Sequence, residues 1–147
     1  MYESYDILKI KEKAGIVSAF HIKEKFKFLP IGKEEAWFDG AIAAYLLNPL
    51  KNDYTYEDVA REQLNLIMED KVDEYVKICY EAYTAFSCVE PLTEKLQETE
   101  MWKLFKEIEM PLVFTLYDME QNGVKVEAEE LKIYWDKLAV RIVELEK

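Results

Sequence analysis

The sequence predicts a mainly α-helical fold with a small β remnant. Apolar residues recur at three- and four-residue spacing along most of the chain, while only one short run, residues 15–20, reads as a strand. Half of the residues are hydrophobic and 14% aromatic, against four Gly and four Pro, which marks a folded globular chain rather than a disordered one. At 147 residues it is long enough to bury a real core.

In chain order, residues 3–13 carry Tyr5, Ile7, Leu8 and Ile10 and stop at Ala14-Gly15, the signature of a short helix with a glycine stop. The strand at 15–20 comes after it, then a helix over 22–29 ending at Pro30 and a polar loop over 31–36. Residues 37–50, WFDGAIAAYLLNPL, organise the middle of the chain: Asp39 follows two aromatics and opens an apolar helix, Gly40 to Leu47, that stops at Asn48-Pro49. As an N-cap, Asp39 needs one side-chain oxygen, a role asparagine fills equally well. Thr55 with Asp58 three residues later predicts a capped helix through Leu64.

From about Lys71 a long helix is expected, with Val72, Tyr75, Val76, Cys79, Tyr83 and Phe86 on one stripe and Pro91 as its end or kink. Phe105, Ile108, Leu112, Leu116 and Met119 mark a further helix, Asn122-Gly123 its stop, and Leu131, Trp135, Leu138, Ile142 and Leu145 the next. Two helices joined by a short glycine turn are expected to form an antiparallel helical hairpin and bury these stripes against each other.

Nineteen basic against 30 acidic residues give a net charge of −11, which makes the chain a poor nucleic-acid binder by itself. The one dense lysine cluster, Lys9, Lys11 and Lys13 with Lys23, Lys25 and Lys27, is interrupted by Glu12 and Glu24 and reads as a solvated face. Cys79 and Cys88 are nine residues apart, a rise of about 13 Å along one helix, so both are expected to be free thiols. No apolar run has the length of a membrane span and no secretory pattern opens the chain, so a cytoplasmic location is expected. His21, the sole histidine, has no Cys, Ser or second ligand at a recognisable spacing and is given a structural role.

Phe38-Asp39 leading into Ala44-Tyr45-Leu46-Leu47-Asn48-Pro49 resembles the second motif of the 3'-5' exonuclease domain in family A DNA polymerases, the DNA polymerase I family. Residues 54–60, Tyr-Thr-Tyr-Glu-Asp-Val-Ala, are similar to the family's stretch just beyond that motif. A further segment, Ile108-Glu109-Met110-Pro111-Leu112 through Met119-Glu120-Gln121-Asn122-Gly123-Val124-Lys125-Val126, resembles the opening of the polymerase domain. The resemblance covers residues 20–147, weakly over 65–99. It implies a piece of such a polymerase: residues 1–100 as the C-terminal part of a degenerate ribonuclease H-like α/β 3'-5' exonuclease domain, and 101–147 as the first thumb helices.

By the same resemblance, Asp39 falls where the family keeps a metal-binding aspartate. The family's third exonuclease motif, a Tyr followed four residues later by an Asp, has as its simplest counterpart here Tyr75 and Cys79, or Tyr80 with the register shifted by one. Neither Cys79 nor Tyr80 offers the hard carboxylate oxygen that magnesium takes. No Asp-x-Glu, the family's first motif, precedes Asp39. Asp39, Tyr75 and Cys79 are therefore expected to be vestigial, with no catalytic residue, no metal site and no cofactor in this piece. The resemblance assigns template-directed synthesis with Mg2+, DNA and deoxynucleoside triphosphates to the parent. Weak or no DNA binding and self-association through the strand at 15–20 are expected of the piece itself. The rival reading is an acidic helical interaction module unrelated to polymerases.

Overall fold

The computed structural model describes residues 15–28, 37–69 and 71–146. The helix expected at 3–13 and the loop expected at 31–36 lie outside them. Strand β1 (Val17–Ala19) falls within the expected run and pairs in parallel with β2 (Trp37–Asp39), in the register Val17 to Trp37, Ser18 to Phe38 and Ala19 to Asp39. β2 escapes the sequence reading because three consecutively buried residues show no alternation, and the next residue already starts a helix. Helix α1 (Ile22–Lys25) lies in the crossover and is shorter than the helix expected over 22–29.

Helix α2 (Gly40–Leu47) has the expected bounds. So does α3 (Tyr56–Leu64), where the Thr55 hydroxyl accepts the Asp58 N–H at 3.1 Å and donates to the Asp58 carboxylate at 2.9 Å. The long helix expected from about residue 71 is instead two: α4 (Glu74–Ser87), capped by Asp73, and α5 (Val89–Glu98). Pro91 neither ends nor kinks a helix at its own position but is the third residue of α5. A proline removes the bond to the carbonyl four residues back and crowds it, which places the break at Ser87 and Cys88. Pro111 has the same effect. Residues 107–109 before it belong to a π-helical turn (Phe105–Glu109) between α6 (Trp102–Leu104) and α7 (Met110–Asn122), closed by Met110 N–H donating to the Phe105 carbonyl.

The core gathers Phe20, Ile22, Phe26, Trp37, Phe38, the alanines of α2, Val59, Cys88, Leu92, Leu96, Phe105, Met110 and Val113. Small side chains on α2 let it lie closely on α5, and rings join the later helices to the sheet: Phe38 to Phe105 at 5.0 Å, and Phe26 to Trp37, Phe114 and Tyr117 at 5.6, 5.0 and 5.3 Å. Both cysteines are free, and burial pushes the Cys88 thiol up to about 11, which makes it unreactive. No helix among the described residues is long and apolar enough to cross a membrane.

Two expected apolar stripes are not buried. On α4, Tyr75, Val76, Tyr83 and Phe86 are exposed, and the helix docks through Thr84 and Ala85, where the Ser18 hydroxyl donates to the Ala85 carbonyl at 2.6 Å. The antiparallel hairpin is also corrected. Helix α8 (Ala128–Leu145) has no buried residue and no extended packing against α7. Gly123, at φ 66° and ψ −178°, takes a backbone conformation open almost solely to glycine, and an irregular stretch through Glu127 follows. The chain therefore leaves α7 without turning back onto it.

Gly40 shows how tightly β2 and α2 meet the rest. A Cβ at this position would overlap the ring of Phe20, which is fully buried and stacked on Tyr56 with ring centroids 4.2 Å apart. Gly40→Ala improves helix propensity by about 1 kcal/mol, but displacing a packed aromatic costs about 1–3 kcal/mol. A net loss of up to about 2 kcal/mol is expected on urea denaturation; a variant more stable than the wild type would show that Phe20 yields freely.

Candidate functional site

Asp39 is the one acidic residue among the described residues that is nearly inaccessible, at 2% exposure, and its surroundings follow from the strand register. Ala19 and Asp39 stand side by side at the ends of parallel strands, so the continuation of β1 passes the Asp39 carboxylate just as α2 begins beneath it. Oδ1 accepts the N–H groups of Ala41 at 2.9 Å, Ile42 at 3.3 Å and His21 at 3.3 Å; Oδ2 accepts that of Ile22 at 2.8 Å. One side chain thus caps two helices, its own α2 and the separate α1.

His21 makes the second cap feasible. Its backbone is left-handed, φ 53° and ψ 50°, a conformation costing about 1–2 kcal/mol in a non-glycine residue, and it turns the chain so that two successive N–H groups face Asp39. The structural role expected of His21 is a backbone one. Burial raises the Asp39 carboxyl above its ordinary value, against the lowering effect of the backbone N–H groups and of His21. Since the folded value is the higher one, this carboxyl favours the fold most below its ordinary value of 3.8 and loses that contribution as pH rises through the raised one.

Tyr56 completes the site and was not singled out by the sequence. Its hydroxyl accepts the Phe20 N–H at 3.1 Å, one residue before the His21 turn, and its ring stacks on Phe20. Burial pushes the phenol above its ordinary range, and the nearby charges of Glu81 and Asp39 push the same way, against the Phe20 hydrogen bond. The legible signal was its place immediately after the Thr55 cap, but that explains α3 and not the reach back to residue 20.

The structure does not bring Tyr75 and Cys79 to Asp39. Both are exposed on the first half of α4, with Tyr75 at 74%, and no hydrogen bond links either of them to Asp39. Tyr80, the alternative register, is half-buried, its phenol raised chiefly by burial. Magnesium would need several hard, accessible oxygens converging, yet both Asp39 oxygens are turned onto backbone donors. No three His, Cys, Asp or Glu residues among those described come close enough to share an ion. These residues do not fit a magnesium site.

The use of both oxygens also changes the expectation for asparagine. Asp39→Asn would set an NH2 group against one of the buried donors, leaving it unsatisfied, partly offset by relief of a buried charge. A loss of about 1 kcal/mol is expected for asparagine and about 2–3 kcal/mol for alanine, which abandons both caps. Chemical denaturation at neutral pH checks the order; an asparagine variant indistinguishable from wild type would mean that only one oxygen matters.

Comparison with known proteins finds three matches, two of which are of the same kind. DNA polymerase I of Bacillus subtilis is 30% identical over 132 residues, 76% of this chain and 14% of that protein. DNA polymerase I of Borreliella burgdorferi is 32% identical over 111 residues, 65% of this chain and 12% of that protein. No protein-family model matches, and no solved structure matches. The chain spans about one seventh of the length of the curated relatives it matches. A module unrelated to polymerases is thereby set aside, and over the stretch it shares with these relatives the chain belongs to the family A DNA polymerases, the DNA polymerase I family.

Proposed function

We propose that this chain is the region of a family A DNA polymerase that joins a degenerate, ribonuclease H-like 3'-5' exonuclease domain, residues 1–100, to the first thumb helices of the polymerase domain, residues 101–147. Its role is to brace the polymerase domain in the cytoplasm, without proofreading chemistry. The whole protein carries out template-directed DNA synthesis with Mg2+ and deoxynucleoside triphosphates, and this region supplies no catalytic residue to it.

The observation that carries the non-catalytic reading is the engagement of Asp39. A carboxylate that serves as a metal ligand offers its oxygens to the ion; this one offers them to Ala41, Ile42, His21 and Ile22. The parallel β1–α1–β2 unit supports an α/β origin for the first part. The two parts also share packing: Phe105 and Val113 lie in the same core as Phe20 and Phe38, so the first helices of the second part brace the first.

Two measurements test the proposal. Labelled single-stranded DNA incubated with the purified chain and magnesium or manganese should stay intact; shortening that follows the chain through purification and stops with a chelator would overturn it. With a net charge of −11, affinity for primer-template DNA at physiological salt should be no tighter than ordinary non-specific binding, about 10⁻⁴ to 10⁻⁶ M. Nanomolar binding in a titration would show that a basic face outweighs the overall charge.

A further inference from the structure

Three hydrogen bonds in series run from the buried carboxylate to α7 through a single helical turn. Asp39 Oδ2 accepts the Ile22 N–H at 2.8 Å, the Ile22 carbonyl accepts the Phe26 N–H at 3.2 Å, and the Phe26 carbonyl accepts the Tyr117 hydroxyl at 3.3 Å. Ile22 and Phe26 are both buried, so water does not compete well for these groups. Side chains reinforce the far end. The Phe26 ring stacks on Phe114 with centroids 5.0 Å apart and stands nearly perpendicular to Tyr117 at 5.3 Å. Lys23 pairs with Glu120 about one turn further along, an ion pair too exposed to hold much by itself.

A helix of four residues does not set its own direction, being far below the length that persists in water. The start of α1 is aimed by Asp39, and its end carries α7. The first half of α7 is fixed separately, through Met110 and Val113 in the core. Beyond Val113 the helix has no buried residue, and Phe114, Tyr117 and Glu120 all reach α1 or the Phe26 that caps it.

We propose that Asp39 is a positioning residue for α7. By fixing Ile22 it sets the direction of α1, and α1 sets the course of α7 from Phe114 to Asn122 and so the direction in which the chain leaves at Gly123. Resting on the reading that α7 opens the polymerase domain, this gives the bracing role a residue and a route. Sites that share no partner act independently as a rule. Asp39 and Tyr117 share no hydrogen bond, so coupling between them travels through the turn of α1.

The test is amide hydrogen exchange, resolved by residue, on wild type, Asp39→Ala, Tyr117→Phe and Val59→Ala. Val59→Ala is a core truncation on α3, which has no extended packing against α1 or α7, and it reports what general destabilisation does. In Asp39→Ala, exchange should quicken at Phe26 and over residues 117–122 by about five- to tenfold, the worth of one buried hydrogen bond. In Val59→Ala, residues 117–122 should keep wild-type rates. Two results would overturn the proposal: wild-type rates over 117–122 in Asp39→Ala, or the same acceleration there in Val59→Ala. Tyr117→Phe keeps the ring and reads the route in reverse. It should quicken exchange at Phe26 and leave Ala41 and Ile42, held by the other Asp39 oxygen, unchanged. An unchanged Phe26 rate would overturn the proposal as well, and this arm decides alone if Asp39→Ala does not fold. Nuclease activity or nanomolar DNA binding would sink the reading of the region without altering these rates, whereas unaltered rates in the variants sink the route alone.

Discussion

The buried carboxylate of Asp39 holds this structure together at its narrowest point. Two three-residue strands cannot be stable by themselves, and a four-residue helix is far below the length at which helices persist in water. What fixes them is a polar contact between residues 17 and 18 positions apart, which closes the crossover on itself and aims α1 and α2 from a common origin. The cost is a charge taken out of water, visible in its raised pKa, and a left-handed histidine. Phe20, Tyr56 and Gly40 then pack around that origin with no room for a single added methyl group.

Both oxygens of Asp39 are engaged by backbone donors at two helix starts. An acidic residue at the end of a strand, at the start of a helix, is well placed to hold a cation only while its oxygens remain free. Here the second helix start engages Oδ2 as well, through the Ile22 N–H at 2.8 Å.

What the sequence made legible was local. The Thr55 cap with Asp58, the bounds of α2 and the strand at Val17–Ala19 depend on neighbours within a few residues, and all appear where the residues place them. The site was half legible: Asp39 as the cap of its own helix could be read, whereas its hold on Ile22 and the part played by Tyr56 are tertiary and leave no periodic trace. Stripes were the least reliable guide. On α4 and α8 the spacing correctly gave helices but not which face would be covered, because periodicity states that a helix is amphipathic and nothing about its partner. The prolines were legible as breakers, with their effect displaced to the carbonyl four residues earlier.

The π-helical turn before Pro111 has a larger effect than its five residues suggest. In an uninterrupted α-helix, Phe105, Ile108, Leu112, Leu116 and Met119 would share one face, and Phe105 in the core would bring the others with it. The turn spends one extra residue, so everything after it lags its α-helical position by about 100°. The inward face therefore continues from Phe105 to Met110, Val113, Phe114 and Tyr117, and the other stripe is rotated to the outside. The same residues in an unbroken α-helix would exchange the two faces, whereas a chain one residue shorter here could close the turn into α-helix and keep them. The single wide bond from Met110 N–H to the Phe105 carbonyl thus acts as a phase setting, deciding which of two apolar surfaces on one helix becomes interior.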